Sequence, residues 1–144
     1  MKKYELGCKI LIITSFLFIA IGIYGVLFNN TSLFTIINWI MDTNWDSEIP
    51  SKSILDFKIF AWDFIGMFHI IWGINIYFVV KYGLINRKEA WAWKCILISV
   101  ITWLVVDIYY TLTINRNTFI LVTIFFALLF LIPLIMTKEV LNRK

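Results

Sequence analysis

Apolar positions fall along the chain in four long runs, at about residues 10–28, 59–80, 91–112 and 118–137, with polar and basic residues gathered between them. Each run reaches the ~20 residues that a helix needs to cross ~30 Å of hydrocarbon at a rise of ~1.5 Å per residue. Without water, a backbone satisfies its polar groups only in a helix or a closed barrel, and none of the four runs alternates as a barrel strand does. The pattern therefore predicts four transmembrane helices. The connections at about 81–90 and 113–117 are short, which makes the second and third spans, and the third and fourth, antiparallel neighbours. The expected fold is all-α: a polytopic membrane protein built as an antiparallel four-transmembrane-helix bundle, with residues 1–144 forming a single four-span domain.

The outer loop, residues 29–58, is the only sizeable segment outside these runs. Its first part, from Ser32 to Met41, is too short to span a bilayer and too apolar to float free, so it is expected to lie in the interface as a short helix. Ser32 would be its N-cap and Trp39 would sit at headgroup level. The acidic stretch that follows, through Asp46 and Glu48, reads as solvated loop. At the N-terminus, Lys2 and Lys3 precede an apolar run in the manner of a secretory signal. That run is as long as a full span and ends in Leu27-Phe28-Asn29-Asn30 without a small-residue cleavage pattern, so it is expected to stay as the first helix.

Composition agrees with the pattern: 61% hydrophobic and 18% aromatic residues lie outside the range of soluble domains. The net charge of +4 is unevenly distributed. Ten of the thirteen Lys and Arg residues flank the span ends on the side of the two termini, and only Lys52, Lys58 and Arg116 lie on the other. Basic flanks stay cytoplasmic, so both termini are expected in the cytoplasm of a multi-pass cell-membrane protein. The basic residues are scattered over three juxtamembrane patches, which suits lipid headgroups and argues against nucleic acid as a partner. Cys8 and Cys95 belong to no Cys-x-x-Cys pair and fall near cytoplasmic span ends, where a disulfide is not expected. One histidine in the chain leaves zinc and bis-histidine haem without ligands, and no metal or other cofactor is expected.

Three ionisable residues break the apolar runs: Asp63, His69 and Asp107. A charge at membrane depth is costly, by roughly 2.5–3.5 kcal/mol on insertion scales, and so marks a function or a buried contact. On the second span Trp62, Gly66, His69 and Gly73 share one stripe, continued by Ile76 and Tyr77, while Asp63 points about 120° away from His69. On the third span Ser99, Trp103, Asp107 and Tyr110 follow at helical spacing. Asp63 and Asp107 each lie about five residues, or ~7 Å, inside the outer end of their helices, and His69 lies ~9 Å deeper. The fourth span carries no ionisable residue and is apolar on every face, as for a helix that meets lipid or another membrane subunit.

The candidate binding or proton site is therefore an outer-leaflet cleft lined by His69, Asp107, Asp63, Trp62, Trp103 and Tyr110, with His69 and Asp107 its favoured pair. A cationic or amphipathic ligand, or a relayed proton, would suit it. The purely structural alternative has the acids reaching water or pairing with Lys58 and Arg116, and His69 bonding a backbone carbonyl. Small size, little soluble mass and the featureless fourth span favour a non-catalytic accessory or assembly subunit of a larger membrane complex, with other membrane subunits or a second copy as partners. A ligand-binding or proton-coupled transport protein using the cleft is the alternative, and a lipid-modifying enzyme with His69 and an Asp as acid and base is the third.

Overall fold

The computed structural model describes residues 2–29, 31–34, 52–113 and 118–139, and all regular structure among them is helical. Among the described residues four α-helices carry the fold: α1 (Lys2–Phe28), α2 (Lys52–Phe78), α3 (Ala90–Thr113) and α4 (Thr118–Thr137). Four stretches of the described residues are long and apolar enough to cross a membrane, Lys2–Phe28, Asp56–Arg87, Ala90–Thr113 and Ile120–Thr137, as a multi-pass membrane protein requires.

The helices outrun the apolar runs at the start of α1, at the start of α2 and past the end of α2, and the first and last of these have a physical reason in the packing. Helix α1 starts at Lys2 because Tyr4, Gly7 and Cys8 are buried and continue, at spacings of three and four, the stripe of Leu11, Thr14 and Phe18. The connection expected at 81–90 is not a loop. Helix α2 runs on as a π-helical segment, Val79–Arg87, and only Lys88 and Glu89 separate it from α3. This segment ends in a left-handed turn: Lys88 sits at φ 54°, its N–H donates to the Leu84 carbonyl at 3.2 Å, and the Glu89 N–H donates to Gly83 at 2.9 Å. Within the segment, a Cβ at Gly83 would collide with the Ala92 side chain and meet the Trp91 ring at 3.4 Å, so the glycine admits the close return of α3. Of the interfacial helix expected over 32–41, only a single 3-10 turn, Ser32–Phe34, belongs to the described residues. Its continuation from residue 35 with Trp39, the acidic stretch to Glu48, and Arg116 lie outside them.

The chain packs as two compact units, Leu17–Gly73 and the pair of segments Met1–Phe16 and Ile74–Lys144. In the first, the later half of α1 crosses α2 at glycines. A Cβ on Gly22 would stand 2.5 Å from the Gly66 carbonyl oxygen, and one on Gly66 would stand 2.7 Å from that of Gly22. Backbones approach this closely only where side chains are absent. Beside the crossing, Phe18 is fully buried and meets Trp72 edge-on, with ring centroids 5.1 Å apart.

In the second unit, α3 buries Ala92, Ile96 and Val100, and α4 buries Thr123, Ala127, Phe130, Leu134 and Thr137. The apolar uniformity of the fourth span does not mark which of its sides packs inward. One side of α4 is embedded: 33% of its span is buried, against 17% for α3. Pro133 shapes this contact. Lacking an N–H, it leaves the Leu129 carbonyl, one turn earlier, without its helical donor. The Thr14 hydroxyl of α1 approaches that oxygen at 3.4 Å. One turn on, the Trp93 indole donates to the Leu134 carbonyl at 2.8 Å, which ties α3 to the end of α4. Gly7 completes the fit, since a Cβ there would stand 2.9 Å from the Pro133 oxygen.

Candidate functional site

The six residues of the expected outer cleft divide between the two units: Trp62, Asp63 and His69 belong to one, Trp103, Asp107 and Tyr110 to the other. Within each unit the ionisable groups have protein partners of their own.

Asp63 is half-buried on α2 and accepts a 2.7 Å hydrogen bond from the Asn29 side-chain amide. Asn29, the residue that follows α1, is buried, and the same amide reaches toward the Ile59 carbonyl at 3.5 Å. Sequence pattern offers Lys58 and Arg116 as partners for the acids and marks Asn29 only as a span end. A side-chain amide supplies a donor without a second charge to desolvate, which suits a partly buried carboxylate. The available signal is the polar residue at the mouth of the first span, with its donor facing a carboxylate on the next.

His69 occupies a separate cluster in the same unit. Its Nδ1 lies 2.8 Å from the Ile65 carbonyl, one turn back on α2, and because a carbonyl only accepts, that nitrogen carries the proton. The imidazole stacks on Phe18 with centroids 5.4 Å apart and planes 22° from parallel. Phe18 thus sits between His69 and Trp72 as the centre of an aromatic group. Trp62 is half-buried beside the glycine crossing, where its carbonyl would be 4.0 Å from a Cβ on Gly25.

In the other unit Asp107, half-buried on α3, accepts a hydrogen bond from the hydroxyl of Thr123, a buried residue of α4. Trp103 is half-buried one turn earlier. Tyr110 departs from the line expected of it. It is 61% exposed, on the outward side of α3 with Tyr109, because the buried stripe passes through Thr111 instead.

A second group of polar and charged side chains comes together where the sequence suggests only topology signals. A cavity of about 340 Å³ is lined by Tyr4, Glu5, Cys8 and Lys9 of α1, Ile85 and Lys88 at the end of the π-helical segment, and Glu139 beyond α4. The Tyr4 hydroxyl donates a buried 2.7 Å hydrogen bond to the Leu84 carbonyl, which anchors the start of α1 to that segment. The Lys88 ammonium lies 6.0 Å from the centre of the Tyr4 ring. Sequence pattern conceals the site because its residues come from three stretches far apart in the chain. Cys8 is a buried free thiol and Cys95 an exposed one, and among the described residues no group of three His, Cys, Asp or Glu side chains is placed to hold a metal.

Comparison of the chain with protein-family models, with curated proteins and with solved structures finds no match.

Proposed function

We propose that the protein is a small multi-pass integral membrane protein of the cell membrane, folded as an antiparallel four-helix bundle with both termini cytoplasmic, whose role is non-catalytic: an accessory or assembly subunit of a larger membrane complex. The observation that carries this reading is the use made of the intramembrane ionisable groups. Asp63 is held by Asn29, His69 by the Ile65 carbonyl and the Phe18 ring, and Asp107 by Thr123. Groups tied in this way join helices, whereas catalysis needs an acid or base aimed at a substrate. Broad apolar surfaces, such as Leu121, Phe125, Leu128, Ile132 and Ile135 on α4, are compatible with lipid or with the apolar helices of another subunit. Extraction of the native protein in a mild detergent, followed by intact-complex mass measurement, tests the reading. A defined stoichiometric assembly is expected, and a lone monomer in every detergent tried would sink it.

A second reading, ligand binding, is favoured by one specific observation, the charged cavity between Tyr4 and Glu139. It moves the binding role from the outer cleft to the first turns of α1. Substitution of its charged residues with no change in any bound molecule recovered with the protein would remove it.

A further inference from the structure

The cavity beside the start of α1 is lined by balanced charges. Two ammonium side chains, Lys9 and Lys88, and two carboxylates, Glu5 and Glu139, surround it together with the Tyr4 hydroxyl, the Cys8 thiol and the apolar Ile85. The formal charge of the lining is zero, with both signs present. A simple anion would meet two carboxylates and a simple cation two ammoniums, so neither is well matched. A ligand carrying a phosphate and an amine matches both, because each charge finds hydrogen-bonding partners of opposite sign.

Size and position narrow the ligand further. About 340 Å³ is near the lower limit of ligand pockets, roughly 300–1,000 Å³, and accommodates a headgroup rather than a whole lipid. The site lies at the first two turns of α1 and at the junction of the π-helical segment with α3, where the apolar spans end. Leu6, Ile85 and Ile135 are exposed close to it in sequence, so acyl chains of a bound lipid would run along an apolar exterior. The backbone is also committed to this arrangement: Lys88 holds a left-handed conformation fixed by the hydrogen bonds that end the π-helical segment, which sets where its side chain departs.

We propose that this cavity is a binding site for the headgroup of an amine-bearing zwitterionic phospholipid, with Lys9 and Lys88 taking the phosphate and Glu5 and Glu139 the primary ammonium. The proposal rests on the membrane location of the protein but not on its membership of a complex, so a lone monomer would leave it standing.

The test uses the purified full-length chain in mixed micelles containing equal amounts of phosphatidylethanolamine, phosphatidylcholine and phosphatidylglycerol, with the lipids retained on the protein identified by native mass spectrometry. Retention of phosphatidylethanolamine over the other two by about tenfold is expected, the effect of one charge-assisted hydrogen bond gained or lost. That preference should disappear in Glu139→Gln and, separately, in Lys88→Gln, both surface substitutions that leave the helical core intact. Equal retention of all three lipids, or a preference for phosphatidylglycerol, overturns the proposal. So does a preference that persists in either variant. A parallel arm adds soluble phosphoethanolamine at the same concentration as the lipid: continued retention of the lipid supports a lipid source, and full displacement overturns it.

Discussion

Gly22 of α1 and Gly66 of α2 face each other so closely that a methyl group on either would lie within 2.7 Å of the other's carbonyl oxygen. The contact is backbone against backbone, which has no flexible side-chain end to move aside. Gly22→Val and Gly66→Val should each destabilise the protein by about 1–3 kcal/mol, the usual penalty of overpacking, with the larger loss at Gly22 because a Cβ there stands 2.5 Å from the facing carbonyl oxygen and 2.9 Å from the Ile70 nitrogen, against 2.7 Å and 3.2 Å for the corresponding contacts of Gly66. Thermal unfolding in detergent, followed by tryptophan fluorescence, measures this. Gly25, whose nearest neighbour would lie 3.7 Å from an added Cβ, should accept Ala with little change.

Asn29 and Asp63 form the polar clasp of the same unit. Asn29→Leu removes the donor and leaves a half-buried carboxylate without it, an expected loss of about 1–3 kcal/mol. Asp63→Leu in that background should recover part of the stability, since two apolar groups need no hydrogen bond. A double substitution no more stable than Asn29→Leu alone would contradict the clasp.

Asp107 and Thr123 make the corresponding tie between α3 and α4. A double-mutant cycle with Asp107→Leu and Thr123→Val, each of which removes one partner of the hydrogen bond, should give a coupling energy of roughly 0.6–2 kcal/mol, as for hydrogen bonds between helices in membranes. Additive effects would show that the two side chains act independently.

Thr14 and Pro133 are coupled through a third group, because the proline frees the Leu129 carbonyl that the threonine approaches. Thr14→Val should destabilise the protein by about 0.5–1.5 kcal/mol, as the loss of one hydrogen bond does. In a Pro133→Ala background, where the restored backbone N–H donates to the Leu129 carbonyl again, the same substitution should have a markedly smaller effect. Equal effects in both backgrounds would refute the connection.

Gly83 and Ala92 occupy one shared space, so Gly83→Ala should destabilise the junction and Gly83→Ala with Ala92→Gly should restore it. Urea titration of the detergent-solubilised variants compares them.

The positions of the spans are legible from apolar run length alone, since a membrane sets one length and the runs meet it. The stripe through Gly66, Gly73 and Ile76 is legible for the same kind of reason: small residues at helical spacing mark a close contact, and Gly66, Gly73 and Ile76 are buried. What escapes is chemistry between distant residues. Nothing in a one-dimensional pattern pairs Asn29 with Asp63, or Thr14 with the carbonyl that Pro133 frees. The π-helical segment escapes because Lys81, Tyr82, Gly83 and Asn86 read as loop composition, while its stability comes from burial of Val80, Gly83 and Leu84. The charged cavity escapes because Lys9, Lys88 and Glu139 each resemble an ordinary cytoplasmic flank.

The two carboxylate clasps follow the order in which the chain is made. Asn29 is synthesised thirty-four residues before Asp63, so its donor is already in place when α2 leaves the ribosome. Asp107 precedes Thr123 by sixteen residues, so α3 must wait briefly for α4. Each acid is answered from the neighbouring stretch of chain, Asp63 by the residue that follows α1 and Asp107 by α4, and a translocation machinery that releases helices in consecutive pairs would never have to hand an unanswered carboxylate to the lipid.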